Sequence, residues 1–156
     1  METITKNIPA LALRGLTVFP RMTASFDVER EISVRALERA METGQEIFLV
    51  TQRELGVELP EEKDLYEVGT VARVIQILRA SNSMMRVVME GGSRARLRRL
   101  WQREPFLQAQ VELIGEEKSP RHGTRTEAML RQTYALFGEY SELLPKQPES
   151  IFTTVM

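Results

Sequence analysis

The sequence predicts an α+β fold that is strand-rich around one helix for its first two thirds and helical thereafter. Three observations support this. Short β-branched or alternating runs separated by Gly, Pro and charge fill residues 8–114. One segment among them, Glu31–Thr43, instead repeats apolar residues at three- and four-residue spacing. After Gly115 the alternation stops and a helical period takes over.

Ile8–Leu13 is the first predicted strand. It runs into Arg14-Gly15-Leu16-Thr17-Val18-Phe19-Pro20, an apolar stretch punctuated by Gly15 and Pro20 that predicts a structured loop. Thr23–Val28 alternates as a second strand. In the helical segment Val34, Leu37, Ala40 and Met41 share one face, and Gly44 stands at the left-handed cap position. Glu31 with Arg35, and Arg39 with Glu42, are spaced to pair on the wet face. Gln45–Thr51 reads as a strand buried on both faces, and Pro60–Glu67 as an acidic loop carrying Glu61, Glu62, Asp64 and Glu67.

Val68–Leu78 and Met85–Leu100 flank Ser81-Asn82-Ser83 as a hairpin, with Met84 and Met85 expected at its tip. Gly91-Gly92 predicts a bulge or sharp bend, which small barrels need where a strand turns a corner. Phe106–Ile114 is the last predicted strand. The polar run Glu116–Pro120 places a boundary between residues 1–116 and 117–156. Thr124-Arg125-Thr126-Glu127 matches a capping box, and the helix it opens should end before Pro145. Pro148-Glu149 resembles the first turn of another helix that looks cut short at Met156, so further chain is expected.

With 156 residues and 42% hydrophobic content the chain can bury one substantial core. A formal net charge of −1 and a pI near 6.0 give no bulk reason to expect a polyanion or membrane partner. The absence of cysteine removes disulfides, thiolate catalysis and cysteine-based zinc sites. The longest run of bulky apolar residues, Ile47–Val50, is far too short to span a bilayer. No phosphate loop of the Gly-x-x-x-x-Gly-Lys-Ser/Thr kind is present. The single histidine, His122, falls in the connector, and the four lysines, Lys6, Lys63, Lys118 and Lys146, avoid apolar strand ends, so neither a His-based site nor a Ser-Lys pair is expected. No catalytic residue, metal ligand or cofactor is therefore assigned.

Three surfaces stand out instead. Leu16, Val18, Phe19 and Met22 of the loop, with Met84 and Met85, are candidates for holding irregular apolar segments, since methionine adapts to many shapes; Val18 and Phe19 read first as core plugs closing the barrel. Arg94, Arg96, Arg98 and Arg99 with Trp101 form a basic, aromatic strip of the kind that grips single-stranded nucleic acid, although arginines on a strand also guard against edge aggregation. Met129, Leu130, Tyr134, Phe137, Tyr140 and Leu144 make an apolar stripe on the terminal helix, which predicts self-association.

The order of motifs resembles that of the amino-terminal, non-catalytic domains of ATP-dependent Lon proteases. Leu11–Pro20 is similar to the family's L-P-L-R, apolar stretch and F-P opening, with Ala12 in place of the usual Pro and Arg21 where Gly often follows F-P. Asp64-Leu65-Tyr66-Glu67-Val68-Gly69-Thr70-Val71-Ala72 resembles its D-L-Y-x-V-G-T-x-A segment, and Glu90-Gly91 with Arg94-Ala95 its E-G-x-x-R-A element. The resemblance implies a PUA-like β pseudobarrel of short antiparallel sheets with one helix, followed by an α-helical segment leading toward an AAA+ module. It implies selection of unfolded or degron-bearing protein substrates in the cytoplasm and support of a hexameric machine. ATP, Mg and the Ser-Lys dyad would belong to other parts of such a machine. Two alternatives keep the fold but change the role: a free-standing Lon-domain protein, or an RNA- or ssDNA-binding module using the Arg94–Arg103 strip.

Overall fold

The computed structural model describes residues 4–79, 84–115 and 123–143. The chain divides into two compact units, Met1–Gly115 and Glu116–Met156. The first contains β1 (Thr5–Leu13), β2 (Thr23–Val28), α1 (Glu31–Glu42), β3 (Glu46–Thr51), β4 (Val68–Arg79), β5 (Met85–Gln102) and β6 (Gln108–Leu113). The second contains α2 (Thr124–Glu142).

The strands form one mixed sheet in the order β2-β5-β4-β3-β1-β6, and β5 pairs with β6 as well. β1, β3, β4, β5 and β6 thereby close into a barrel, with β2 attached to β5 outside the ring. Closure depends on the 18 residues of β5, whose first part pairs with β2 and β4 and whose second part pairs with β6. Gly91-Gly92 marks the bend between them, where two residues of β4, Thr70 and Ala72, face Arg94 and Gly91 across a register shift. One ladder departs from the expected antiparallel pairing: β1 and β3 run parallel, with Ala10 opposite Phe48 and Leu13 opposite Thr51. A parallel pair needs a long crossover, and the intervening chain with β2 and α1 supplies it.

Two cores account for the unbroken apolar runs of β1 and β3. Ile8, Ala10, Ala12, Phe48 and Val50 face the barrel interior with Val71, Ala95, Leu107, Ala109 and Val111. Leu11, Leu13, Ile47 and Leu49 point the other way and pack with Ala36, Leu37 and Ala40 of α1 and with Val74, Val87 and Met89. A strand buried on both faces has no polar alternation to show.

α1 forms as its period predicts, except that Met41 lies on the solvent side at 42% exposure. Gly44 takes φ +103° just after the C-cap residue Thr43, where a side chain would be strained. The predicted ion pairs Glu31–Arg35 and Arg39–Glu42 both form on the exposed face. The capping box expected at Thr124 and Glu127 does not: Gly123 is the N-cap, Thr124 is already helical, and the Glu127 carboxylate pairs with Arg131. A reciprocal box occurs at Glu61 and Asp64, flanking the 3₁₀ turn Glu62–Asp64, with the Glu61 N–H donating to Asp64 Oδ2 at 2.9 Å. A carboxylate serves as well as a hydroxyl in accepting a free turn N–H.

Candidate functional site

The loop between β1 and β2 is fixed from both sides. Thr51 Oγ1 donates to the Leu16 carbonyl at 2.9 Å, and buried Thr70 Oγ1 donates to the Val18 carbonyl at 2.7 Å. Farther along, the Arg21 N–H donates to the Gly91 carbonyl at 2.7 Å and the Gly91 N–H to the Met22 carbonyl at 2.8 Å. Gly91 must be glycine for this seam to close, because a Cβ there would lie 2.1 Å from the Phe19 carbonyl oxygen. Arg21 holds φ +64°, the left-handed region that glycine occupies more cheaply. This gives a physical reason for the glycine that often follows F-P in the family the motifs resemble.

On this frame Phe19 does not plug the core as expected but projects at 56% exposure, with Met22 at 37%. Leu16 is half-buried against the α1-side core. Val18 is a correction to the candidate set: at 3% exposure it belongs to that core, because its carbonyl is anchored by Thr70 and its side chain turns inward. Met85 is a second correction. It is not at a hairpin tip but begins β5, opposite Val28 and Arg79, and is buried. Met84 is half-buried just before it, and Ser81–Ser83 lie outside the described residues. The methionines also do not join the loop in one surface. The β2–β5 ladder runs from Thr23/Glu90 beside the loop to Val28/Met85 at its far end, which is about 17 Å at strand spacing.

What the loop does join is an apolar cleft of 450 Å³ lined by Thr17, Thr51, Arg53, Tyr66, Glu67 and Val68. Tyr66 and Val68 are 48% and 43% exposed, and the Arg53 guanidinium stacks 4.7 Å above the Tyr66 ring. Leu55, at 58% exposure, tips the neighbouring turn, which is held by buried Gln52 donating to the Glu54 and Val57 carbonyls. Arg30 donates to Gln52 Oε1, the Glu58 carbonyl and the Ala12 carbonyl, binding the same turn to β1. Its burial lowers its pKa from the ordinary arginine value. Tyr66 and Val68 were missed as surface residues, although the D-L-Y-x-V-G-T segment that contains them was legible. No alternation marks them in the sequence, because Tyr66, Glu67 and Val68 are exposed in succession between buried Leu65 and buried Thr70.

The arginine strip is largely neutralised within the fold. Arg96 pairs with Glu67, Arg98 with Glu112, Arg103 with Glu61 and nearby Arg86 with Asp27. Arg94, Arg96 and Arg98 alternate with buried Ala95 and half-buried Leu97, and the register shift between Leu97 and Arg99 leaves Arg99 exposed beside Arg98. Arg94 and Arg99 remain exposed without a carboxylate among the described residues, and Trp101 is 48% exposed. Two unpaired cations release few counterions, so this arrangement disfavours a nucleic-acid grip.

In the second unit Met129, Leu130, Tyr134 and Tyr140 of α2 are 40–60% exposed, and Phe137 is half-buried. Leu136 and Leu143, absent from the predicted stripe, are exposed at 57% and 81%, and Leu144 lies outside the described residues. No helix among the described residues is long and apolar enough to cross a membrane.

A sequence-family model described as the ATP-dependent protease La (LON) substrate-binding domain matches residues 7–155. The Lon protease of Brevibacillus choshinensis is 38% identical over 150 residues, which is 96% of this chain and 19% of that protein. Lon protease 1 of Bacillus subtilis is 34% identical over 154 residues, or 99% of this chain and 20% of that protein. The chain thus spans about a fifth of the length of these relatives. Among solved structures, the N-terminal domain of a Mycobacterium avium complex Lon protease superposes with a TM-score of 0.67 at 15% identity, covering 96% of this chain and 74% of that one. A Lon N-terminal domain protein from Xanthomonas campestris gives 0.64 at 13% identity, covering 97% and 90%. At these identities the two structures establish the fold alone.

Proposed function

The chain belongs to the family of Lon protease substrate-binding domains, and we propose that it engages unfolded or degron-bearing polypeptide through the loop surface of Phe19 and Met22 and the adjoining Tyr66–Val68 cleft. The observation that carries this is Phe19, held at 56% exposure by a backbone bonded on either side. A large aromatic kept in water forgoes roughly 1.5–3 kcal/mol of burial, and a partner's apolar side chain recovers part of it. The cleft's Arg–Tyr stack and threonine hydroxyls add polar contacts that orient a peptide without demanding one sequence.

In this reading the chain is a binding module of a cytoplasmic machine. ATP hydrolysis and Ser-Lys peptide cleavage belong to other parts of that machine, so this chain by itself turns over neither ATP nor peptide. The exposed face of α2 contributes the self-association that such a machine requires.

The test is binding of fluorescein-labelled, reduced and alkylated lactalbumin, followed by anisotropy. Phe19→Ser and Tyr66→Ser should each weaken binding about fivefold or more, a loss of roughly 1 kcal/mol, whereas Met84→Ser should not. Unchanged affinity in both loop and cleft variants sinks the assignment.

A further inference from the structure

β2 ends the sheet: β5 pairs with one side of it, and among the described residues no strand pairs with the other. The phase of the ladder follows from Gly91, whose N–H donates to the Met22 carbonyl. Mutually bonded pairs recur every second residue in an antiparallel ladder, so Ala24, Phe26 and Val28 aim their backbone groups at Met89, Val87 and Met85. The N–H and C=O groups of Thr23, Ser25 and Asp27 therefore point away from the sheet. All three residues are exposed, and no partner occupies their backbone groups among the described residues.

Donors and acceptors repeating every second residue, about 7 Å apart, complement another extended chain. Edge strands are usually blunted by Lys, Pro or an internal bulge. β2 reads Thr-Ala-Ser-Phe-Asp-Val and has neither Lys nor Pro, and its register with β5 is unbroken. Its one charge, Asp27, is held by Arg86 across the ladder at 2.8 and 3.0 Å. The edge begins one residue after Met22 and so continues the surface that carries Phe19. Beside its far end opens a cleft of 240 Å³ whose walls include Leu13, Leu16 and Phe26.

We propose that β2 is a template for strand addition, on which an extended segment of unfolded polypeptide, about five or six residues long with alternating apolar and polar side chains, pairs with Thr23, Ser25 and Asp27. This rests on the polypeptide-binding reading above and names the class of segment recognised. Apolar side chains of the guest lie on the side shared with Phe26 and Leu16, and polar ones beside Thr23, Ser25 and Asp27. Recognition through backbone and pattern admits many sequences, while helices and prolines are excluded.

The test uses the whole chain with the labelled lactalbumin probe and with a hexapeptide of alternating valine and threonine. Ser25→Pro removes an outward donor and sets a ring in the guest's path without touching a bond to β5. It should weaken binding about tenfold, the worth of one or two neutral hydrogen bonds, with the far-ultraviolet circular dichroism unchanged. A second arm leaves the protein unaltered: N-methylation of the hexapeptide at one set of alternate positions should abolish binding, and at the other set should not. Equal loss from both sets, or loss from neither, overturns strand addition. If Phe19→Ser weakens binding while Ser25→Pro and both methylated sets do not, the edge is idle and the polypeptide-binding reading stands. If nothing binds, both fall. If light scattering shows a dimer that Ser25→Pro converts to monomer, the edge belongs to a second copy and the proposal fails.

Discussion

Gly91 shows how a single missing Cβ organises the surface. Its N–H and C=O are both spent on the β1–β2 loop, and the space a methyl group would need is taken by a backbone oxygen that no rotamer change can move. Gly91→Ala is therefore expected to lose about 1–3 kcal/mol in urea denaturation and to loosen the loop that presents Phe19; wild-type stability would show that the seam yields freely. Asp27 is legible in the same local way. Its hydrogen bond from Arg86 lowers its pKa from the ordinary carboxylate value. A depressed folded-state pKa means that the pair's contribution is present above the unfolded value of about 3.9 and is lost as pH falls through the folded value. A carboxyl-carbon NMR titration should find the Asp27 midpoint below its ordinary position and see it rise in Arg86→Ala. A midpoint unmoved by that substitution would mean that the pair does not form in solution.

At the scale of elements, burial on one face or two decides how much of each strand is readable. β2 alternates cleanly because one face is wet, and its predicted bounds, Thr23–Val28, are those observed. β1 and β3 carry apolar residues on both faces, which marks them as central strands but leaves their partner and direction open. The two helices also differ. α1 buries Ala36, Leu37 and Ala40 completely, whereas most of α2 is exposed and only Ser141 is buried. A helix of 19 residues with so little cover is marginal in water. Hydrogen exchange should find α2 amides exchanging well before those of β3, and comparable protection in the two would show that α2 gains cover in solution.

For the whole molecule, the division at Gly115 and the exposed α2 face predict different behaviour for the two units. Burying a large side chain is worth roughly 1.5–3 kcal/mol, and Met129, Leu130, Tyr134, Leu136, Tyr140 and Leu143 are all at least 40% exposed. The 156-residue chain should therefore form a dimer or small oligomer at tens of micromolar, while a chain ending at Gly115 stays monomeric. Equal monomeric masses by light scattering would refute this.

The amino-acid sequence determined which segments are strands and helices, where the β-rich region ends, and, through the order of its motifs, the family. Each of these depends on neighbours along the chain: alternation in β2, the 3.6 period in α1, and the punctuation of Gly15, Pro20, Gly44 and Gly91-Gly92. Tertiary structure alone decided what those residues present to a partner. Phe19 and Val18 are adjacent and similarly apolar, yet one is exposed and the other buried, because Thr70, 52 residues away, fixes the Val18 carbonyl. Met85 became core through Val28 and Arg79 on two different strands, and the arginine strip lost its charge to Glu67, Glu112 and Glu61. Exposure and ion pairing are set by long-range contacts, and a one-dimensional pattern holds those contacts only implicitly.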